Sequence, residues 1–155
     1  MFKRKLLPPR PAIVYRPVSG GIAARIDDTV NAQPKTKPHR MPALLDMANG
    51  KPCLLQIPGV CAGGTATTVA CHSNKSKHGK GGHRKAEDFF SVFGCWACHQ
   101  WLDTGKATAE EKDKAFDAAH LLQITHWHFI ATDATETERN KRAAKWALEL
   151  LEQTP

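Results

Sequence analysis

Four cysteines in two pairs constrain this chain more than any other feature. Cys53 and Cys61 are separated by seven residues, with Pro58-Gly59 making a turn between them, and Cys95-Trp-Ala-Cys98 is a CxxC pair. Two thiolates presented by a tight turn, completed by a second pair, make the tetrahedral sulfur set of a structural zinc site, with Zn–S bonds of about 2.3 Å. Cys95 and Cys98 fall where a turn enters a helix-like stretch, and the partial positive charge of a helix N-terminus favours ionised thiols there. Other uses of the motif fit less well. Cys95-Trp-Ala-Cys98-His99 matches the pattern for covalent haem attachment, but that leaves Cys53 and Cys61 without a role. A thioredoxin-like redox pair wants a preceding strand in a βαβ unit, which this pattern does not offer. The fifth cysteine, Cys71, lies beside His72 rather than in a pair, and reads as an ordinary buried residue ahead of a spare ligand.

The 155 residues suit one compact domain plus an extension. No apolar run approaches the ~20 residues of a membrane span. Met1-Phe-Lys-Arg-Lys resembles the basic start of a signal peptide, but Leu6-Leu7 runs straight into Pro8-Pro9, so the apolar region of such a signal is missing. The expected compartment is the cytoplasm, where thiols stay reduced, and an odd number of cysteines argues against a closed disulfide framework. A formal charge of +7 favours an acidic partner, of which nucleic acid is the commonest.

Three regions follow. Residues 1–50 read as a basic, Pro-rich arm, partly disordered, with Ile13-Val14-Tyr15 as a short extended piece and Leu44 to Met47 as a short helical turn. Residues 51–106 hold nearly all of the Cys, His, Gly and Lys chemistry in a small metal-stapled unit. Residues 107–155 read as a helical pair packed on that core. The first helix opens on a capping box, Thr108-Ala-Glu-Glu111, carries Phe116, Ala119 and Gln123 on one face with Ala115, Leu122 and Ile130 near it, and ends by Thr132-Asp133. A second box, Thr135-Glu-Thr-Glu138, opens the last helix, where Ala143, Trp146, Ala147, Leu150 and Leu151 form an apolar stripe.

Within the middle region, Val69-Ala-Cys-His72 reads as a short strand ending in histidine. A Lys/Gly/His-rich loop follows from Ser73 to Lys85, then a strand-like Phe89–Phe93 and a helix-like Cys95–Asp103. His99 and Asp103 are spaced i, i+4 and share one helical face, where they could hold a divalent ion. His72, at the end of the facing strand, could then activate water beside it. Lys75, Lys77, Lys80, Arg84 and Lys85 would grip a phosphate backbone.

The order Cys53-x7-Cys61, Ala70-Cys-His72, Gly94-Cys-Trp-Ala-Cys-His99 and Asp103 resembles the YbcO family of prophage nucleases, of the HNH or ββα-metal superfamily, and is similar to the phage nuclease Ref, which depends on RecA. The resemblance covers roughly residues 51–125. It implies an α+β fold with a zinc-stapled ββα-metal (HNH, treble-clef-like) core, C-terminal helices and a basic N-terminal arm. It implies His72 as general base, His99 and Asp103 as ligands of a catalytic Mg²⁺ or Mn²⁺, and Cys53, Cys61, Cys95 and Cys98 as ligands of structural Zn²⁺. It further implies a DNA endonuclease or nicking enzyme of phage or prophage recombination or replication, in the bacterial host cytoplasm, with a RecA-type recombinase as a possible partner. This sequence departs from the pattern at Cys71, where many such proteins carry a metal-binding Asp. The middle Asn has two rivals, Asn74 and Asp88, and His78 and His83 are further candidates. A non-catalytic zinc-containing DNA-binding module, or a recombinase adaptor, is the alternative. The sequence does not fix the oligomeric state.

Overall fold

The computed structural model describes residues 37–154. Residues 1–36, including Ile13-Val14-Tyr15, and Pro155 lie outside the described residues. The described elements are helix α1 (Pro42–Asp46), strand β1 (Val69–His72), a 3-10 turn (Ser76–His78), strand β2 (Ser91–Gly94), and helices α2 (Trp96–Thr104), α3 (Ala109–Thr132) and α4 (Glu138–Glu152). No described helix is long and apolar enough to cross a membrane.

The mixed α+β architecture rests on a two-stranded antiparallel sheet. Its register pairs Val69 with Gly94, Ala70 with Phe93, Cys71 with Val92 and His72 with Ser91. Two strands alone leave open edges. Here the outer edge of β2 is closed at Phe93, whose carbonyl accepts from the Leu54 N–H at 2.7 Å and whose N–H donates to Gln123 Oε1 at 2.8 Å. The register also brings backbones close. A Cβ at Gly94 would lie 2.5 Å from Cys71 Sγ, so only glycine fits opposite Val69.

Strand β2 is shorter than its apolar run. Phe89-Phe90 belongs to a turn in which the Phe90 N–H donates to the Glu87 carbonyl at 2.9 Å and Ser91 Oγ to the Asp88 carbonyl at 2.7 Å. The turn drives both rings into the core instead of extending the ladder.

Helix α3 begins as its capping box dictates. Thr108 Oγ1 accepts from the Glu111 N–H and Glu111 Oε2 accepts from the Thr108 N–H. Phe116, Ala119, Gln123 and Ile130 are buried, whereas Leu122 is exposed on the opposite side. Helix α4 starts two residues later than Thr135 would have it. Asp133 Oδ1 accepts both the N–H and the hydroxyl of Thr135 at 2.8 Å, so Thr135 serves the turn, and Thr137 is the N-cap, accepting from the Asn140 N–H. The expected α4 stripe is packed: Ala143 and Ala147 are buried, and Trp146, Leu150 and Leu151 lie against them.

Two apolar clusters result among the described residues. One gathers Leu44, Met47 and Ala48 with Phe89, Phe90, Phe93, Trp127, Ile130 and the alanines of α4. The end of the stretch read as a basic arm, from α1 to Ala48, is thus part of this cluster. The other gathers Leu55, Ile57, Val92, Leu102, Phe116 and Ala119 around the cysteines.

Candidate active site and metal centre

Cys53, Cys61, Cys95 and Cys98 converge, with their four sulfurs all within 4.8 Å of one another. Cys61 is delivered by a tight turn in which the Val60 and Cys61 N–H groups both donate to the Ile57 carbonyl. Gly59 takes φ +71° there, a left-handed conformation natural to glycine. Cys95 is the N-cap of α2, and Cys98 lies in its first turn.

The geometry fits a metal. A tetrahedron with metal–sulfur bonds of about 2.3 Å has sulfur–sulfur edges of about 3.8 Å, and Cys61 Sγ and Cys95 Sγ are 3.9 Å apart. That is far beyond a disulfide bond of about 2.05 Å, and all five cysteines are free. Burial pushes the Cys98 thiol up. At Cys95 burial acts the same way, but hydrogen bonds from the Cys98 and Ala62 backbones outweigh it and bring the thiol down to about 7. Four thiols gathered this closely are a donor set that could hold a cation. Cys71 stands outside this set. It is fully buried, with its sulfur against the carbonyls of Val69 and Gly94, and burial pushes its thiol up.

Beside the cysteine cluster lies a cleft of about 150 Å³ lined by Ala70, His72, Asn74, Lys80, Lys85, His99 and Asp103. Alternation along β1 turns Ala70 and His72 to the cleft and Cys71 away from it. On α2, His99 Nε2 lies 3.2 Å from Asp103 Oδ2. Asn74 Nδ2 donates to Asp103 Oδ1 at 3.2 Å and to the Leu102 carbonyl at 3.3 Å.

His72 is anchored from behind. Its Nε2 is 3.1 Å from Asp88 Oδ1, and Asp88 is only 2 % exposed. The same carboxylate accepts from Arg40 Nη1 at 2.8 Å and from the Met41 N–H at 2.7 Å. Burial alone would raise the Asp88 pKa. The hydrogen bonds from His72, Met41 and Arg40, and the Arg40 charge, more than offset this and hold it below its ordinary value. An ionised carboxylate can only accept, so His72 donates through Nε2–H; in the neutral ring the lone pair is then on Nδ1.

Of the two rivals for the middle position, Asp88 therefore meets His72, while Asn74 meets Asp103. Arg40 has no local sequence signal, because its partner lies 48 residues away.

The five basic residues divide. Lys80 and Lys85 line the cleft. Lys77 lines an adjoining trough of about 670 Å³ that shares Asn74 and Asp103 with the cleft. Lys75 Nζ pairs with Asp117 at 2.5 Å, and Arg84 with Glu87 at 2.5 Å. His83 is exposed. His78 is buried, donating to or accepting from Ser73 Oγ at 2.7 Å and stacked on Phe90 at 3.8 Å, so it is held by packing rather than aimed at the cleft.

Fold and site together define a small α+β protein with four cysteines placed to hold a metal and a histidine- and lysine-lined cleft. The family model described as "Putative nuclease YbcO" matches residues 42–133, from α1 through the end of α3. The chain belongs to this family, and membership implies a nucleic-acid hydrolase. No curated protein and no solved structure matches the chain.

Proposed function

We propose that the protein is a metal-dependent DNA endonuclease or nicking enzyme, hydrolysing phosphodiester bonds from an HNH-type (ββα-metal) centre. The observation that carries this reading is the convergence of His72, His99 and Asp103 on one cleft edged by Lys80 and Lys85. His72 is the general base. Asp88 holds its Nε2–H, leaving Nδ1 to take a proton from water. His99 and Asp103 are the donors for one Mg²⁺ or Mn²⁺, which when bound would neutralise charge on the leaving oxygen. Lys80 and Lys85 hold the phosphate backbone, with Lys77 following it into the trough; Lys75 and Arg84 join once their carboxylate partners release them. No group in the cleft reads base edges by necessity, so sequence preference is weak.

The cysteine cluster takes Zn²⁺ and does no chemistry itself. It fixes the start of α2, and through it the direction of His99 and Asp103. A role in phage or prophage recombination or replication, a bacterial cytoplasmic location and a RecA-type recombinase partner rest on the family resemblance.

Supercoiled plasmid tests the catalytic claim. With Mg²⁺ or Mn²⁺ the parent converts it to nicked circles, and His72→Ala slows this by about 10²- to 10⁴-fold while keeping zinc content and gel-shift binding. Equal nicking by both proteins refutes the assignment. A second reading, a zinc-containing DNA-binding module, is favoured by Cys71, whose buried thiol gives the cleft no third ligand. It predicts intact gel shifts and no nicking by either protein.

A further inference from the structure

The chain has four tryptophans, and three of them are packed. Trp127 is fully buried, Trp146 meets Phe89 edge-on, and Trp101 lies against the cysteine-lined core. Trp96 differs. It is 64 % exposed and meets no other ring among the described residues.

Its place on α2 gives the exposure a meaning. Residues 96, 99 and 103 follow an i, i+3, i+7 spacing, so Trp96 continues the stripe that carries His99 and Asp103 to the cleft. A rise of about 1.5 Å per residue sets its Cα about 4.5 Å along the axis from that of His99. The backbone there is fixed on both sides. Cys95 and Cys98 belong to the sulfur cluster, and the Trp96 N–H points to Thr67 Oγ1 at 3.4 Å. A large, flat, apolar ring is thus held in solvent, one turn from a lysine-edged cleft, on a stretch stapled by the cysteines.

That combination matches the requirements of an unpaired strand. Lysines track the backbone by charge, and an aromatic face stacks a base whatever its identity. In a duplex the base faces are already covered by their neighbours, so a stacking ring selects nucleotides that are out of the helix.

We infer that Trp96 is a stacking platform for an unpaired DNA base beside the scissile phosphate, so that the substrate is a strand with unpaired nucleotides at the cut. The inference takes its location from the nuclease reading above, but its readout is binding, which needs no cleavage.

The test uses the full-length zinc-loaded protein without added Mg²⁺ or Mn²⁺. The probes are a short single strand carrying one 2-aminopurine and a duplex of the same sequence. The parent quenches the 2-aminopurine on binding. Trp96→Ala weakens single-strand binding about tenfold and removes the quench, Trp96→Phe returns affinity to within about twofold, and duplex affinity moves by less than about twofold. Equal single-strand affinity of parent and Trp96→Ala overturns the inference. So does an equal loss on both probes, or a parent that does not bind the single strand. Should Trp96→Ala lose zinc, the phenylalanine variant and the parent's quench decide alone. Plasmid nicking by the parent with no Trp96 effect sinks only this inference. A Trp96 effect without nicking leaves the base-stacking platform standing, overturns its place beside a cut and sinks the nuclease reading.

Discussion

Around Trp127 the domain is held by aromatic and aliphatic side chains packed on alanines, whereas around Cys98 leucines, Ile57, Val92 and one phenylalanine gather about four sulfurs. The first cluster joins α1, the Phe89-Phe90 turn, the C-terminal half of α3 and α4, and it buries Trp127, Phe93, Leu44 and Met47. The second joins the Cys53–Cys61 loop, the sheet, α2 and the N-terminal half of α3, and its only buried ring is Phe116. Helix α3 runs through both, with Gln123 at the crossing bound to the backbone of β2. The cleft residues His72, His99 and Asp103 stand on elements of the second cluster. The proposed catalytic geometry therefore stands on the half gathered about the sulfurs, where a bound metal would supplement the apolar core.

This contrast is broken most directly by taking away the zinc proposed for the four cysteines. Structural zinc contributes apparent binding free energies of about 10–16 kcal/mol in small zinc-dependent folds, as much as the about 5–15 kcal/mol total stability of an ordinary domain. Strong chelation, or Cys98→Ser, should abolish native order in the sulfur half. Amide hydrogen exchange is the measurement. Protection over residues 53–104 should vanish, while the α3–α4 pair loses less. Unchanged protection after chelation would show that the second cluster stands on apolar burial alone.

The reverse experiment attacks the apolar half. Trp127→Ala empties a fully buried site and should cost about 3–5 kcal/mol. Zinc content at low temperature should stay that of the parent, because no cysteine lies in that cluster. Urea unfolding with parallel metal analysis checks both halves of the statement. Loss of zinc in step with loss of stability would mean that the clusters fold as one unit.

The two halves were also unequally legible in the sequence. Local signals read well. The Val69–His72 strand, the Thr108 capping box and the two closely spaced cysteine pairs each follow from residue types at short range. Features set by competition or by distance did not. Thr135 looks like a cap, but Asp133 claims its donors first, and the helix starts from Thr137. Phe89-Phe90 has strand composition, but the bond from Phe90 back to Glu87 makes it a turn. The sequence offers Asp88 only as a rival for the middle position, because Arg40 and Met41, which keep it ionised, lie 48 and 47 residues upstream. The trough beside the cleft depends on how Asn74 meets Asp103 across 29 residues. A cysteine cluster is identifiable from residue type and spacing, whereas the partners of His72 are chosen by the fold.

The smallest of these effects probes the seam between the clusters. His78 is stacked on Phe90 of the apolar half, its ring centroid is 6.2 Å from that of Phe116 of the sulfur half, and it is only 9 % exposed. Burial, and then the charges of Lys77 and Lys75 and the neighbouring His120, bring its pKa down to about 4, with Asp117 opposing them. The unfolded chain, with an ordinary histidine near 6.5, binds the proton first. Stability from this group is therefore complete above about pH 6.5, falls as pH drops toward 4, and changes no further below that; a depression of this size corresponds to about 3 kcal/mol. His120 and His126 are lowered by burial as well and act in the same direction. Acid also releases metal from thiolates, so the parent's pH profile alone would mix two causes. His78→Phe separates them, because it keeps a ring on Phe90 and leaves the sulfur centre untouched. Urea unfolding from pH 7.5 to 4.5 should give a shallower slope for the variant than for the parent, the difference lying between about pH 6.5 and 4. Parallel profiles would show that His78 takes up its proton at the same pH in the folded and unfolded protein and that the seam is open to water.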